Sequence, residues 1–321
     1  MKTHAPLPGT ATPHNRLSLG CWTFGGSQWG GQDDRDSIAA LEQALESGLT
    51  HWDTAIAYGG GRSEKVVGEV LKAQDARDRV YLATKGFPAK DPDSMVEALA
   101  RSRINLGVDT LDLYYIHWPL SGVDMRPHFE RLHREREQGG IRALGVSNFS
   151  VEEMQAVAET GPIDALQIGY NLLWRRGERD GVIDYCREHG IQVVTYSSMA
   201  QGILTGKFPE KPQFREGDSR ADNVHFKPDV WPRVHATMQE IKALADDLGR
   251  PPQHLAIQWS LQQPGIDVVI LGARNSEQVA ANAEALAGSP LPADVLDRLT
   301  ELSDALHEHL PDQENIFGVK P

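Results

Sequence analysis

The sequence predicts a single-domain α/β protein, a (β/α)8 TIM barrel that spans residues 1–321 and carries an insertion between its seventh and eighth strands. Short apolar or β-branched runs bounded by turn residues recur eight times, and a segment of helical period follows each of them. The first five runs begin about 30 residues apart, which is the length of one strand-and-helix unit. Barrels of this kind often reach this length as one domain.

The eight predicted strands cover residues 18–22, 49–53, 80–84, 111–117, 141–146, 164–168, 191–196 and 267–271. The helices that accompany them are predicted at residues 37–47, 63–73, 94–106, 127–138, 150–159, 181–189, 252–262 and 276–287. The last two strands begin at residues 191 and 267, much further apart than the others. We therefore expect an insertion at about residues 201–233, on the catalytic face of the barrel.

Helix ends carry recognisable signals. Four serines stand where a hydroxyl can accept hydrogen bonds from the first turn of a helix, and two of them have a glutamate at capping-box distance: Ser63, Ser94 with Glu97, Ser150 with Glu153, and Ser276. Glycines are predicted to end three helices: Gly48, Gly139 and Gly190. An open doubly wound sheet is the alternative fold, but residues 20–26 lack the G-x-G-x-x-G pattern that it requires after its first strand.

Composition limits the classes of function. No apolar run approaches the ~20 residues of a membrane span, and the first 16 residues lack the apolar stretch of a secretory signal, so a cytoplasmic protein is expected. The formal net charge of -13 disfavours nucleic-acid and anionic membrane partners. An anionic ligand therefore requires a local cluster of donors. Cys21 and Cys186 lack partners at metal-ligand spacing, so neither a disulfide framework nor a metal site is expected.

Polar side chains follow or end six of the predicted strands, and in such barrels the C-terminal ends of the strands carry the chemistry. The six residues are Asp53, Lys85, His117, Asn148, Gln167 and Tyr196. Any one of them could be a core or surface residue. Because the strands are parallel, all six are predicted to face one mouth of the barrel.

Asp53 and Tyr58 lie five residues apart where the second strand leads into its loop. A phenol with a pKa near 10 is a poor acid at neutral pH, but a nearby ammonium lowers that pKa, and Lys85 is the candidate ammonium. Asp53 could hold Lys85 in place, and His117 could donate a hydrogen bond to a substrate oxygen that becomes negative during reduction. The alternative is an Asp53–Lys85 ion pair that only joins adjacent strands, with Tyr58 as an ordinary rim aromatic.

At this point the sequence resembles the aldo-keto reductase family. The matching segments are D-T-A-I-A-Y-G-x-G-x-S-E at 53–64, A-T-K at 83–85, D-L-Y-Y-I-H-W-P at 112–119, G-V-S-N-F at 145–149, Gln167 with Y-N-L at 170–172, Y-S-S-M-A-Q-G-I-L-T-G-K at 196–207, and G-A-R-x-x-x-Q-x-x-x-N at 272–282. They occur in order along almost the whole chain. The segment L-T-G-K at 204–207 is similar to the sequences of the bacterial branch related to potassium-channel β-subunits and general-stress reductases.

The resemblance implies NADPH-dependent reduction of aldehydes or ketones, with Asp53, Tyr58, Lys85 and His117 as the catalytic tetrad and Tyr58 as the proton donor. It implies that Ser147, Asn148 and Gln167 hold the nicotinamide carboxamide, that Tyr196 stacks on its ring, and that the adenosine 2′-phosphate lies near Arg274 and Ser276. The full set of cofactor residues that it implies is Trp22, Thr23, Asp53, Ser147, Asn148, Gln167, Tyr196, Ser197, Met199, Ala200, Gln201, Gly202, Leu204, Gly206, Lys207, Gly272, Arg274, Gln278 and Asn282.

The substrate is predicted to be a small carbonyl compound. Four tryptophans follow strand ends and could line an apolar pocket, although each could equally be barrel packing. With two of the tetrad residues, the expected substrate pocket comprises Trp22, Trp29, Tyr58, His117, Trp118 and Trp174.

Two other functions stay open from the sequence. The resemblance to channel β-subunits allows a cofactor-bound binding or redox-sensing subunit with slow turnover. A barrel hydrolase or isomerase could instead use Asp53 and His117 as acid and base, with or without a metal. The physiological substrate, the oligomeric state and the strictness of NADPH over NADH are not determined by the pattern.

Overall fold

A computed structural model describes residues 4–318 of the chain. Its strands, β1 to β10, are His4–Pro6, Pro13–Asn15, Leu17–Gly20, His51–Asp53, Tyr81–Gly86, Leu111–Ile116, Ile141–Ser147, Ala165–Gly169, Gln192–Tyr196 and Val268–Gly272. Its helices, α1 to α11, are Asp34–Glu46, Arg62–Ala73, Asp93–Leu106, Arg126–Glu137, Val151–Ala158, Arg176–Arg179, Val182–His189, Trp231–Asp247, Pro252–Gln262, Ser276–Ala287 and Ala293–His307.

Strands β3 to β10 pair in parallel and close into a barrel in chain order, with β10 returning to β3. The predicted TIM barrel is therefore confirmed, and the six terminal residues of the predicted 1–321 domain lie outside the described part of the chain. Parallel strands covered by helices are buried on both faces, and every residue of β5 and β6 is buried. Along β6, Tyr114 packs outward against the helices, whereas Tyr115 packs into the barrel with Leu113.

The N-terminal end of the barrel strands is closed by a hairpin that the sequence pattern did not predict. Strands β1 and β2 form a short antiparallel hairpin, and Leu7, between them, packs into the interior cluster of the barrel beside Tyr81. The Tyr81 hydroxyl donates a hydrogen bond to the Pro8 carbonyl over 2.8 Å. The barrel is thus sealed at the end remote from the catalytic loops.

Several predicted boundaries shift. The first barrel strand ends at Gly20, because Cys21 leads into a 3-10 turn at Trp22–Gly25. Lys85, expected just after its strand, lies within β5. Helix α8 begins inside the predicted insertion, and neither α8 nor α11 was predicted. The rest of the insertion is built from 3-10 turns at Ala200–Thr205, Ser219–Asp222 and Val224–Phe226.

One of the four predicted serine caps is confirmed. Ser150 caps α5 and forms the capping box with Glu153. The other three serines lie inside the first turns of their helices, and the capping positions are Gly61, Pro92 and Asn275. The predicted glycine stops are confirmed, since Gly48, Gly139 and Gly190 follow helix ends in left-handed backbone conformations. In the described residues, no helix is long and apolar enough to cross a membrane.

Candidate active site

A buried ion pair stands at the C-terminal mouth of the barrel. The Lys85 ammonium is fully buried and lies 2.5 Å from a carboxylate oxygen of Asp53. It also donates to the Thr54 carbonyl over 2.9 Å, and the Gln167 amide donates to the second Asp53 oxygen over 2.8 Å. Both carboxylate oxygens are thus satisfied, which is the condition under which a buried pair is tolerated.

Tyr58 lies beside this pair, with the Lys85 ammonium 5.4 Å from its ring centroid. From the sequence, Lys85 was expected to lower the pKa of Tyr58, but in the structure this pKa is raised. Burial raises the pKa of Tyr58 well above its usual value, and the negative charge of Asp53 raises it further. Burial also lowers the pKa of Lys85, although Asp53 opposes that change. The sequence argument considered the ammonium without its carboxylate partner or the cost of desolvation. The phenol therefore keeps its proton at neutral pH.

His117 meets Tyr58 edge to face, with ring centroids 5.9 Å apart. Burial and the charge of Lys85 hold the pKa of His117 well below 6.5, so the imidazole is neutral and can donate from one nitrogen only. Within residues 4–318 its buried Nδ1 has no hydrogen-bond partner. Phe87, which the motifs did not single out, packs on the other side of this ring at 4.5 Å. Its position just after β5 was the only signal in the sequence.

Backbone contact fixes the loop that carries Tyr58. A Cβ atom on Gly25 would lie 2.7 Å from the Gly59 nitrogen, so the two loops touch through their main chains. The Ile56 amide donates to the Lys85 carbonyl over 3.2 Å. Glycine is required on both sides of this contact because any side chain would push the loops, and Tyr58 with them, apart.

A cavity of about 720 Å³ runs from this cluster across the barrel mouth. Its volume is within the usual range of ligand pockets. Most of the residues predicted to bind a cofactor line it: Trp22, Thr23, Asp53, Tyr196, Ser197, Met199, Gln201, Gly202, Lys207, Gly272, Arg274, Gln278 and Asn282. Six do not. Ser147 and Gln167 are buried at the strand ends, the Ala200 and Leu204 side chains lie in the core, and Asn148 and Gly206 lie outside its wall.

The backbone along this wall is strained. Ser197, Ala200 and Gln201 all have positive φ values, of 52°, 46° and 54°. Such conformations cost free energy in residues other than glycine and are concentrated at functional sites. The segment after β9 therefore follows the cavity in a conformation that its sequence does not favour locally.

Three cations that interact with one another line the same cavity: Lys207, Arg220 and Arg274. Burial and the positive charges of the two arginines lower the pKa of Lys207. Arg274 donates to the Gln32 side chain and to the carbonyls of Trp29 and Gly31, which uses three of its five N–H groups. Arg220 forms an ion pair with Asp218. It was not predicted, because it lies in the insertion, where the sequence shows no helical or strand period that would fix the direction of a side chain.

The amide-bearing residues form a second connected group. Asn148, in a left-handed conformation with a φ of 62°, donates to the Ser147 hydroxyl over 2.9 Å. The Tyr196 hydroxyl donates to the Asn148 side-chain oxygen over 2.8 Å. The strand ends of β7 and β9 are thus joined across β8 at the site where the sequence predicted carboxamide recognition.

The predicted substrate pocket is divided between two cavities. Trp22, Trp29 and Tyr58 line the large cavity, whereas Trp118 and Trp174 line a neighbouring one of about 420 Å³. His117 lies against Tyr58 and is in neither lining. The chain after α11 was not predicted to contribute, yet Ile316 lines the smaller cavity and the Phe317 ring meets Trp22 at 6.1 Å. In the described part of the chain, no group of three or more His, Cys, Asp or Glu is arranged to hold a metal ion.

The barrel and the cluster at its mouth define a (β/α)8-barrel oxidoreductase. The chain belongs to the aldo/keto reductase family, whose model matches residues 16–304. The resemblance seen in the motifs is therefore confirmed.

Among its relatives, aldo-keto reductase YhdN from Bacillus subtilis is 36% identical over 88% of each chain. The NADH-specific methylglyoxal reductase of Escherichia coli is 30% identical over 94% of this chain and 98% of its own. The structure of glycerol dehydrogenase AKR11B4 from Gluconobacter oxydans superposes with a TM-score of 0.86, at 30% identity over 97% of each chain. A Klebsiella pneumoniae aldo/keto reductase solved with NADP and acetate gives a TM-score of 0.75 at 27% identity, over 98% of this chain and 99% of that one.

Proposed function

We propose that this protein reduces aldehydes or ketones to alcohols with NADPH, and that Tyr58 donates the proton. The observation that carries the proposal is the buried Lys85–Asp53 pair beside a protonated phenol, at a cavity whose lining also holds three cations. The family supports carbonyl reduction, and the Klebsiella pneumoniae relative was solved with NADP.

The cavity suits an anionic dinucleotide. Lys207, Arg220 and Arg274 repel one another within a chain whose formal charge is -13, and a phosphorylated ligand would relieve that repulsion. Arg274 retains two N–H groups that could reach a phosphate, and it stands just ahead of the N-terminus of α10. The resemblance implies that Gln278 and Asn282 contact the adenine and that Tyr196 stacks on the nicotinamide, and the presence of all three in the lining of the same cavity supports these roles.

Bound NADPH would supply the hydride. The protein supplies the proton and the polar surroundings. Because burial raises the pKa of Tyr58, the phenol is fully protonated before reaction and becomes a donor only when the carbonyl oxygen gains negative charge. The Lys85 ammonium then stabilises the phenolate that is left, since charge interacts strongly in a buried site.

We assign His117 a positioning role at the substrate oxygen. As a neutral imidazole it donates one hydrogen bond without becoming an acid, and its packing between Tyr58 and Phe87 fixes the ring plane. A neutral donor avoids adding a second positive charge beside Lys85.

The proposal is tested by Tyr58→Phe. General-acid catalysis contributes roughly 10²- to 10⁴-fold, so kcat should fall by about that factor while the Kd for NADPH stays within about twofold. Tyr185→Phe, on helix α7 and away from the cavity, is the matched control. Steady-state kinetics with small aldehydes and ketones, together with fluorescence titration of NADPH, give both quantities. Unchanged kcat in Tyr58→Phe would exclude Tyr58 as the donor.

The same panel run with NADH tests the cofactor, because a relative from Escherichia coli is described as NADH-specific. We expect kcat/KM to be higher with NADPH. Slow turnover with every carbonyl, accompanied by tight NADPH binding, would instead favour the redox-sensing subunit.

A further inference from the structure

Glu64 is a buried carboxylate outside the site described above. It lies in the first turn of α2, is fully buried, and packs behind strand β5. The Thr84 hydroxyl donates to one of its oxygens and the Asn105 amide to the other, both over 2.8 Å. Across the described residues, no lysine or arginine forms an ion pair with it. A buried anion held only by neutral donors is costly and calls for an explanation.

The neighbouring chain is built around this carboxylate. Gly61, in a left-handed conformation with a φ of +92°, leaves space for Asn105: a Cβ atom there would lie 2.6 Å from the amide nitrogen that binds Glu64. Ser63 donates to the Cys21 carbonyl over 2.7 Å and is within 2.8 Å of the Thr54 hydroxyl. The start of α2 is thereby fixed to the residues that directly follow β3 and β4.

The path from Glu64 to the catalytic cluster is short. Thr84, its hydrogen-bond partner, precedes Lys85 in β5, so the two side chains point to opposite faces of one strand. Thr54, which contacts Ser63, accepts the second hydrogen bond of the Lys85 ammonium through its carbonyl. Glu64 and the Lys85 ammonium therefore lie on opposite faces of β5, and both side chains are fully buried.

We propose that Glu64 is a positioning residue whose negative charge acts on Lys85 across strand β5 and thereby sets the alkaline limit of the reaction. The inference rests on the proposed carbonyl reduction.

The charges around Lys85 agree with this role. Burial lowers the pKa of Lys85, whereas Asp53 most strongly, then Cys21 and Glu64, raise it. The other titratable groups near Lys85 on the packed elements are Cys21, His51, Tyr58, Tyr115 and His117. On the side of Glu64, burial raises the pKa of Tyr114 and the charge of Glu64 raises it further. Removal of that charge would lower the pKa of Lys85 and so move the alkaline limit to lower pH.

The test is Glu64→Gln, which keeps the shape of the side chain and removes its charge. The alkaline limb of kcat/KM should move to lower pH by about 0.5 to 1 unit. Glu69→Gln, an exposed change on the same helix, is the matched control and should leave the limb where it is in the parent. An unshifted limb in folded Glu64→Gln would overturn the proposal, because a merely structural role would lower stability without moving a pH profile.

A second variant serves if Glu64→Gln does not fold. Asn105 is partly exposed, so Asn105→Lys can bring an ammonium to the carboxylate and neutralise its field without removing it. The alkaline limb should again move to lower pH, and a limb at the parent position would contradict the proposal.

A readout without turnover separates this inference from the proposed function. The ¹³Cε shift of Lys85, assigned with Lys85→Met, can be titrated in the protein without cofactor. A lower pKa of Lys85 in Glu64→Gln and Asn105→Lys supports the inference even if the parent reduces no carbonyl, an outcome that would defeat the proposed function alone. An unchanged Lys85 titration in both variants overturns the inference even if the parent is an active reductase.

Discussion

Asp53→Asn is the perturbation that most directly tests the description of the cluster. The change keeps the shape of the side chain but removes its charge, so the fully buried Lys85 ammonium loses its anionic partner and keeps only neutral acceptors such as the Thr54 carbonyl. Breaking a buried pair by removal of one partner costs about 3 to 5 kcal/mol of unfolding free energy. An exposed pair offers the matched control: Asp34→Asn removes the partner of Arg62, and such pairs contribute about 0 to 1 kcal/mol.

The loss should depend on pH in a defined direction. Asp53 raises the pKa of Lys85 against burial, so Asp53→Asn lowers that pKa further. Below the new pKa, the folded state carries an unpaired buried ammonium. Above it, the folded amine is neutral while the unfolded lysine, with a pKa near 10.5, still binds a proton, so stability rises with pH. The deficit relative to the parent should therefore be largest near pH 6 and smaller near pH 9.

Urea unfolding at pH 6 and pH 9 measures this difference. The double variant Asp53→Asn with Lys85→Met removes both charges and should recover roughly 1 to 3 kcal/mol at pH 6 relative to Asp53→Asn alone. A loss below about 1 kcal/mol at pH 6, or a double variant no more stable than the single one, would refute the description of a desolvated ion pair.

Three further predictions concern other parts of the molecule. Gly59→Ala should lower kcat/KM at least about tenfold, because a Cβ atom at this position meets the Gly25 backbone. Gly60 has a similar left-handed backbone but open space around it, so Gly60→Ala should affect mainly the melting temperature. Equal kinetics in the two variants would contradict this reasoning. Burial lowers the pKa of His51 to about 3. The free energy of unfolding should therefore fall by up to about 1.4 kcal/mol per pH unit as the pH drops below 6.5. His51→Leu should flatten this dependence between pH 6 and pH 4. Parallel slopes in urea titrations would show that His51 is not responsible. Arg274→Ala should raise KM for NADPH about tenfold or more and leave KM for NADH nearly unchanged, which steady-state kinetics with both cofactors measures. An equal rise for both cofactors would show that Arg274 does not bind the 2′-phosphate.

Much of the site could be predicted because parallel strands of a barrel all run in one direction. Their C-terminal ends meet at one edge, so Asp53, Lys85 and Gln167, widely separated in sequence, could be assigned to one cluster before any coordinates were known. Residues outside strand ends were harder to find. Arg220 lies in the insertion and Phe317 in the chain after the last helix, where neither period nor cap fixes which way a side chain faces.

The sign of the Tyr58 pKa shift illustrates a different limit. Pattern can show that an ammonium and a phenol share a mouth, but it cannot weigh desolvation against charge, since burial is a property of the packed barrel. Once Lys85 is fully covered and paired with Asp53, burial dominates, and the pKa of Tyr58 rises.

The sequence by itself determined the barrel, the order of its strands and the identity of the polar groups at its mouth, because these follow from local periodicity and from the direction of parallel strands. Only the tertiary structure decided the burial of the Lys85–Asp53 pair, the neutral state of His117 and the carboxylate of Glu64 behind β5. The physical reason is that charge states depend on solvent exclusion and on partners brought together from distant segments, which no local pattern records.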